Sequence, residues 1–378
     1  MCKMKVAIVH ELLTRRGGAE RVARIFAEMF PEAPVYTLLY NEQRLGEWFP
    51  PQRVRPAKLP ASRFPLPASV RFNHHLYLSQ FPAAAEAWDF REFDLVLSSS
   101  SAFVHGIITN SAPKHLCYVH SPARYLWDAT QEVLERAGRG PLGLLKRQWL
   151  ERTFHKLRMW DAEVAARPDA LLANSREVQR RIELYWRRES TVVYPPIEDF
   201  WLEGDVRREK DDFYLIVSTL TPYKSIDRAI EACNRLQVPL KIAGEGPDLR
   251  RLRKLAGQTT ELLGYQSNED VRTLYKRTKA VLFPGQDDFG LVPVEAMACG
   301  APVIAFKKGG ALETVHEGET GFFFNEPTAE SLEATIHQTR AMKVDPERCR
   351  SFAQQFSRKR FEEVIEQEIE KLLGSSML

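Results

Sequence analysis

Short apolar runs alternate along the first half of the chain with segments of helical periodicity. Residues 6–9 form one such run, and the segment 19–30 then places Val22, Ile25 and Phe26 on one helical face. Similar patterns predict strands at 34–40, 93–97, 114–119, 169–175 and 190–194, and helices at 141–160 and 176–186. The polar stretches 10–16 and 98–101 are predicted to be loops that follow two of the strands. Strands that are apolar throughout are typical of parallel sheets buried on both faces.

The same alternation begins again after a break in the pattern. Pro195-Pro196 and the polar stretch 198–212 interrupt it and predict an interdomain linker. Apolar runs at 213–217, 240–243, 261–265, 280–283, 301–306 and 321–324 then predict a second set of strands. The final helices are predicted at 328–342 and 346–373. The sequence therefore predicts an α/β protein with two Rossmann-like domains, residues 1–196 and 197–349.

One loop of the second domain has the composition of a binding site. Asp287, Asp288 and Gly290 follow the strand 280–283, and Pro293 and Glu295 are predicted in the first turn of the next helix. Free backbone N–H groups at a helix N-terminus attract phosphate. The Glu295 carboxylate either accepts hydrogen bonds from sugar hydroxyls or only complements the helix dipole.

Three further polar segments follow predicted strands, where ligands sit in open α/β sheets. The pair Gly17-Gly18 either lets a ligand approach the backbone or forms a plain tight turn. His120 and Arg124 can hydrogen-bond a ligand or pair with phosphate, although a lone histidine is more often structural. Lys224 precedes a helix N-terminus and is either a phosphate ligand or an ordinary surface lysine.

Composition narrows the function class. The 378 residues suffice for two domains, and a net charge of +3 gives no case for nucleic acid binding. The five cysteines lack metal-ligand spacing and fit reduced thiols in a cytosolic protein. We expect no membrane-spanning segment and no signal peptide. The basic helix predicted at 141–160 contains Trp149 and Trp160; it either lies on an anionic membrane or packs on its own domain. The stretch 50–67, rich in Pro, Arg and Lys, predicts a long functional loop.

Asp287 and Glu295, separated by seven residues that include Phe-Gly-Leu, resemble the paired-acid motif of the retaining glycosyltransferases of family 4. That family has the GT-B architecture, in which two Rossmann-like domains face each other across a deep cleft. It usually has Glu where Asp287 stands, and Arg where Thr219 stands. The segment His-Ser-Pro-Ala-Arg-Tyr-Leu-Trp-Asp at 120–128 resembles the family's bacterial mannosyltransferases.

The resemblance implies roles for individual residues. It implies catalytic roles for His120, Asp287 and Lys224. It implies that the donor nucleotide-sugar is held by Gly17, Gly18, Thr219, Lys224, Gly264, Tyr265, Asp288, Phe289, Gly290, Leu291 and Glu295. It implies acceptor contacts at Arg124, Tyr125, Trp127 and Asp128, and a last helix, about 350–378, that crosses back to the first domain. No paired-carboxylate metal site is evident, so we expect metal independence and no cofactor.

The function implied is the retaining transfer of a hexose, mannose from GDP-mannose, to a polyprenyl-diphosphate-linked saccharide. Such a reaction serves lipopolysaccharide or exopolysaccharide synthesis, in the cytoplasm or on the cytoplasmic face of the inner membrane. Three alternatives stay open: a UDP-sugar-dependent glycosyltransferase, a nucleotide-sugar epimerase, and a non-catalytic nucleotide-sugar-binding subunit.

Overall fold

The computed structural model describes residues 4–59, 72–110, 113–140, 142–207 and 209–374. They form two compact units, one up to Val193 and again from Glu362, the other Tyr194–Phe361. The sequence places the second boundary at 349, but the second unit continues beyond it. Cys349 and Ala353 are buried in that unit's core, in one cluster with Met297, so the helix that carries them belongs there.

The first unit contains a seven-stranded sheet in which every neighbouring pair is parallel, with strand order β3-β2-β1-β4-β5-β6-β7. Strands β1 to β7 are Val6–Leu13, Val35–Tyr40, Val54–Pro56, Leu95–Ser100, Lys114–Val119, Ala170–Ala173 and Thr191–Val192. The α-helices are Gly18–Met29, Glu42–Leu45, Phe81–Glu86, Thr130–Ala137, Gly143–Val164 and Arg176–Trp186. The final helix, Arg358–Leu373, begins in the second unit and belongs to the first unit from Glu362 onward.

Two strands of this unit are longer than predicted. β1 continues through His10 and Glu11 to Leu13, and β4 takes in three serines of the predicted loop 98–101. These polar residues stay in the sheet because their side chains find hydrogen-bond partners inside the unit. The polar composition alone therefore indicated loops where the chain forms buried strand.

The second unit contains a six-stranded sheet, also parallel throughout, with strand order β10-β9-β8-β11-β12-β13. Strands β8 to β13 are Tyr214–Val217, Leu240–Ala243, Thr260–Gly264, Ala280–Phe283, Val303–Phe306 and Gly321–Phe324. The α-helices are Ile226–Leu236, Leu249–Leu255, Asn268–Arg277, Leu291–Ala298, Ala311–Thr314, Ala329–Thr339 and Pro346–Ala353.

Alternate residues of the second sheet enter two different hydrophobic clusters. Along β11, Val281 and Phe283 pack into one cluster, whereas Ala280 and Leu282 pack into the other. Successive side chains of a strand point to opposite faces, so both faces of this sheet are covered. The prediction of two Rossmann-like domains with parallel sheets is confirmed.

Several helix predictions were incomplete. The helix Thr130–Ala137 was not predicted, and the helix predicted at 141–160 is observed as Gly143–Val164. The C-terminal segment is broken by a 3-10 turn, Gln354–Phe356, ahead of Arg358–Leu373. Of the predicted loop 50–67, the part after residue 59 lies outside the described residues.

Candidate active site

Each sheet has one point at which the strand order reverses. In the first unit that point lies between β1 and β4, and in the second between β8 and β11. Open parallel sheets bind ligands outside the carboxyl ends of their strands at such a switch point, because the loops on either side turn away from each other. Residues in the loops that follow β1, β4, β8 and β11 are therefore the best placed to bind a ligand.

In the second unit an ion pair spans the switch point. Lys224 ends the 3-10 turn Pro222–Lys224 after β8, and Asp287 lies in the loop after β11. The Lys224 Nζ lies 2.6 Å from Oδ1 and 2.5 Å from Oδ2 of Asp287. The two side chains are only 16% and 19% exposed. The structure thus brings together two residues from separate loops, for both of which the family resemblance implies catalytic roles.

Close backbone contacts hold the loop that carries Asp287. A Cβ atom on Gly285 would lie 2.9 Å from Cα and 3.0 Å from the carbonyl oxygen of Lys224. On the other side the Gly310 N–H donates to the Asp287 carbonyl at 3.0 Å. A Cβ atom on Gly310 would lie 2.2 Å from the Phe289 carbonyl oxygen. Neither Gly285 nor Gly310 was predicted to lie in the site.

Some of the residues after Asp287 can face a ligand only with their backbone, and others can do so with their side chains. The Phe289 ring is buried against Tyr194 and Phe356, at centroid distances of 5.6 and 5.5 Å, so only its backbone can face a ligand. The helix begins at Leu291 with the partly buried Gly290 as its N-cap, and Asp288 is also partly buried. Glu295 lies in the second turn, not the first as predicted, and it is 6% exposed.

The remaining donor-site candidates of this unit follow other strands. Thr219 is exposed in the loop after β8. Gly264 is the last residue of β10, and Tyr265, which follows it, is 76% exposed. β10 stands three strands from β11, about 15 Å at the usual strand spacing. These two residues thus share an edge of the sheet with Lys224 but lie well to one side.

In the first unit three side chains meet across the switch point. The Ser99 hydroxyl lies 3.0 Å from Nδ1 of His10 and 2.8 Å from Nε2 of His120. His10 is on β1, Ser99 on β4, and His120 directly follows β5. Burial lowers the pKa of His10 to about 4 and that of His120 to about 3, so both imidazoles are neutral at pH 7. Neither His10 nor Ser99 was predicted to lie in the site.

The neighbouring residue on β1, Glu11, fixes the backbone at the end of β4. Its Oε2 accepts from the N–H groups of Ser101 and Ala102 at 2.9 and 3.2 Å, and its Oε1 from Phe103 at 2.6 Å. Burial raises the pKa of the Glu11 carboxyl from 4.5 to about 6, although these hydrogen bonds oppose the shift. Glu11 therefore anchors the loop next to Ser99.

Replacing Glu11 with glutamine is expected to destabilise the first unit by about 1–3 kcal/mol at pH 7.5. Both carboxylate oxygens accept from N–H groups, so an amide NH₂ would face a donor and leave it without an acceptor. Because the pKa of Glu11 is raised in the folded protein, the free energy of unfolding should depend on pH. The contribution of Glu11 to stability should be greatest below pH 4.5 and fall by about 2 kcal/mol as the pH rises through 6.

Urea unfolding of the wild type and of Glu11→Gln, at several values between pH 4.5 and 7.5, measures both effects. The variant should lack this part of the pH dependence, because it has no group to ionise. Equal stability of the two proteins at pH 7.5, or an unchanged pH dependence in the variant, would contradict the anchoring role.

The glycine pair and the segment after His120 lie at the same edge of the first sheet. Gly17 is the N-cap and Gly18 the first residue of the helix that follows β1. Arg124 is partly buried, and the partly buried ring of Tyr125 lies 5.5 Å from that of Phe154. The structure thus places these predicted residues near the His120 end of the sheet.

Trp127 and Asp128 are held by the helix Arg176–Trp186. The Trp127 ring stacks on Tyr185 with centroids 4.7 Å apart. Asp128 accepts from the Tyr185 hydroxyl and pairs with Arg181 at 3.3 Å. The indole N–H of Trp127 donates to the buried Asp161 carboxylate at 2.9 Å, and burial raises the pKa of Asp161 to about 7. The positions of Trp127 and Asp128 are therefore fixed by contacts within the first unit.

The described residues contain neither a metal-binding cluster nor a membrane-spanning helix. No group of three or more His, Cys, Asp or Glu side chains there is arranged to hold a metal ion. In the same part of the chain, every helix is too short or too polar to cross a membrane.

Comparisons with known proteins relate the second unit to a family. Residues 198–356 match the family model described as glycosyl transferases group 1. An uncharacterized glycosyltransferase of Methanocaldococcus jannaschii is 26% identical over 200 residues, which are 50% of this chain and 56% of that protein. A GDP-mannose-dependent alpha-(1-6)-phosphatidylinositol monomannoside mannosyltransferase of Mycolicibacterium smegmatis is 32% identical over 154 residues, 35% of this chain and 39% of that protein.

The fold similarity extends over nearly the whole chain. The crystal structure of Anabaena HepE in complex with UDP matches with a TM-score of 0.69 and 16% identity, over 97% of this chain and 100% of that one. At this identity the likeness shows the fold, that of the GT-B glycosyltransferases. The alignments with the two sequence relatives span little more than half of their lengths, or less. Relationship to the group 1 glycosyltransferases is thus supported for the second unit.

Proposed function

We propose that this protein is a retaining glycosyltransferase that transfers a hexose from a nucleotide-sugar to an acceptor hydroxyl. The observation that carries the proposal is the Lys224–Asp287 pair, which spans the switch point of the second sheet. The pair lies inside the segment that matches the family model of group 1 glycosyltransferases. Its position is where an open α/β sheet binds a ligand, and its charges suit a sugar diphosphate.

The chemistry requires stabilisation of negative charge on the departing diphosphate. A lysine ammonium has three N–H donors, so Lys224 can donate to a phosphate oxygen while it stays paired with Asp287. Backbone N–H groups of residues 288–291, at the start of the helix Leu291–Ala298, add further donors. With these donors the reaction proceeds without a metal ion.

The carboxylates then orient the donor. Asp287 holds Lys224 in place and accepts a hydrogen bond from a sugar hydroxyl. Glu295, buried in the second turn, accepts from the ribose. Gly264 and Tyr265 lie at the end of β10, at the same edge of the sheet as Asp287 but distant from it. They contact the base of the nucleotide.

The proposed donor is GDP-mannose. The M. smegmatis relative is described as GDP-mannose-dependent, and the segment 120–128 resembles bacterial mannosyltransferases. A UDP-sugar is the second candidate, favoured by the fold's likeness to a protein crystallised with UDP. A mannosyl donor requires that GDP bind more tightly than UDP.

The proposed acceptor is a saccharide linked to polyprenyl diphosphate, which the protein meets at an anionic membrane. Leu142, Leu144 and Leu145, at and before the start of the helix Gly143–Val164, are 72%, 75% and 66% exposed. Trp149 on the next turn is 51% exposed. Exposed basic residues surround this apolar patch: Arg139, Lys146 and Arg152. Exposed apolar side chains with basic neighbours suit the interface of an anionic bilayer.

The double variant Leu144→Glu/Leu145→Glu is expected to bind anionic vesicles about tenfold more weakly than the wild type, because two apolar anchors are lost. Sedimentation with phosphatidylglycerol vesicles measures the bound fraction, and phosphatidylcholine vesicles test the role of charge. Leu312→Glu, at a 51% exposed leucine of the second unit, is the matched control. Equal binding by the double variant and the wild type would contradict this docking site.

A transfer assay tests the proposed function. The protein is incubated with GDP-mannose and a polyprenyl-diphosphate-linked saccharide, and the products are analysed by mass spectrometry and NMR. The proposal predicts a product longer by one hexose, with the anomeric configuration of the donor. An isomerised nucleotide-sugar formed without acceptor would indicate an epimerase. Donor binding with no transfer to any acceptor would indicate a non-catalytic subunit.

A further inference from the structure

Ser99 joins His10, on β1, to His120, which directly follows β5. Its Oγ lies 3.0 Å from Nδ1 of His10 and 2.8 Å from Nε2 of His120, while the two rings are 6.5 Å apart and nearly perpendicular. The histidine rings are too far apart to bond directly, so the hydroxyl is their only shared partner in the described part of the chain. His10 and Ser99 are paired in register on β1 and β4.

A serine hydroxyl has one proton, and a neutral imidazole has one N–H. If Ser99 donates to His120, it must accept from His10, and both histidines then carry their proton on Nδ1. If Ser99 donates to His10, it accepts from His120, and both carry their proton on Nε2. With both rings neutral, these are the two arrangements that satisfy both hydrogen bonds.

The nitrogen of His120 that is left for a ligand is Nδ1. Within the described residues it has no hydrogen-bond partner, and the residue is half-buried. The ring is held in place by Tyr118, at a centroid distance of 5.2 Å, and by the Ser99 bond. The Asn174 amide also donates to the His120 carbonyl at 2.9 Å. The fixed ring of His120 therefore presents Nδ1 to a ligand. This nitrogen is a donor when it carries the proton and an acceptor when Nε2 carries it.

We propose that His10 and Ser99 are positioning residues that set the tautomer of His120, and with it the ability of Nδ1 to donate to or accept from a bound ligand. His10 acts through Ser99 and needs no contact with substrate. Through Ser99, the position of the proton on the fully buried His10 determines the position of the proton on the half-buried His120. The importance of that property for transfer rests on the proposed function, whereas the coupling of the tautomers does not.

Nitrogen-15 NMR of histidine-labelled protein tests the coupling without any substrate. The chemical shifts of Nδ1 and Nε2 identify the protonated nitrogen of each ring, and single histidine variants assign the signals. We expect His10 and His120 to show the same tautomer, or the same proportion of the two. We expect His10→Phe, which keeps a buried ring, to shift the Nε2 resonance of His120. Ser99→Ala should shift Nε2 of His120 and Nδ1 of His10 together.

Ser98 and His115 supply the matched control. The Ser98 hydroxyl lies 2.7 Å from Nε2 of His115, one residue earlier on β4 and equally buried. Ser98→Ala should shift the His115 resonance and leave His120 unchanged. Opposite tautomers in His10 and His120, or a His120 resonance that does not respond to His10→Phe, would overturn the proposal.

Kinetics distinguish this proposal from the proposed function. If transfer is observed, His10→Phe and Ser99→Ala should lower kcat by about 10-fold or more and leave KM for the donor within about twofold. Ser98→Ala should leave both constants unchanged. Coupled tautomers without any transfer would retain the inference on His120 and reject the glycosyltransferase. Normal kcat in His10→Phe would reject the positioning role alone.

Discussion

Replacing Lys224 with alanine is expected to lower the rate of glycosyl transfer by about 10²–10³-fold, the cost of removing one donor that stabilises charge in the transition state. The change also leaves the Asp287 carboxylate, which is 19% exposed, without its cation. At the proposed diphosphate site, an unpaired negative charge would repel the departing phosphate. Steady-state kinetics with the wild type and the variant give kcat and KM separately, and the main loss should be in kcat.

Lys279→Ala is the matched control for that experiment. Lys279 pairs with Asp212 in the same unit, but this pair is at the surface, and surface pairs contribute about 0–1 kcal/mol. Its transfer rate should stay within about twofold of the wild type. Asp287→Asn should also slow transfer, because the ammonium loses its charged partner. A Lys224→Ala enzyme with the wild-type rate would remove Lys224 from the reaction.

Replacing Gly310 with alanine is expected to slow transfer by about 10²-fold while the second unit stays folded. The new Cβ would lie 2.2 Å from the carbonyl oxygen and 2.3 Å from Cα of Phe289, so the loop must shift. Both atoms belong to the backbone, and no side-chain rotation relieves the clash. The loop carries Asp287, and a displacement of about 1 Å at a reacting group is enough for this loss.

Gly138→Ala provides the comparison. Gly138 has an ordinary φ of −69°, and a Cβ there would meet its nearest atom at 3.4 Å. This variant should match the wild type in rate and in thermal stability. For Gly310→Ala, the melting temperature and far-ultraviolet circular dichroism establish that the unit is folded. A folded Gly310→Ala protein with normal kinetics would show that the loop position is not critical.

The sequence predicted most strands because buried parallel strands are continuous apolar runs. Residues 114–119, 240–243, 280–283 and 321–324 were predicted at the observed bounds. Prediction failed at His10, Glu11 and the serines of β4, which were assigned to loops. The partners of His10 and Glu11 lie 89 to 92 residues away in the chain. The local pattern of apolar and polar residues does not reveal hydrogen bonds between such distant positions. The polarity of these residues therefore led to a wrong prediction of loops.

The sequence predicted individual loops of the candidate site but not the contacts between them. The Asp287–Glu295 spacing and the position of Lys224 before a helix marked two segments of the second unit. Their ion pair joins residues 63 positions apart, and it depends on β8 lying next to β11. Strand order is a property of the folded sheet that periodicity does not contain. The part played by His10 and Ser99 was missed for the same reason, because β1 lies next to β4.

The central claim, that the second unit binds a nucleoside diphosphate through Lys224, is tested most directly by isothermal titration calorimetry. GDP and UDP are titrated without added metal into the wild type and Lys224→Ala. The account predicts that the wild type binds GDP more tightly than UDP. It also predicts that the variant binds GDP at least about tenfold more weakly than the wild type does. Tighter binding of UDP would retain the glycosyltransferase and replace the mannosyl donor. Absence of binding to either nucleotide would contradict the account.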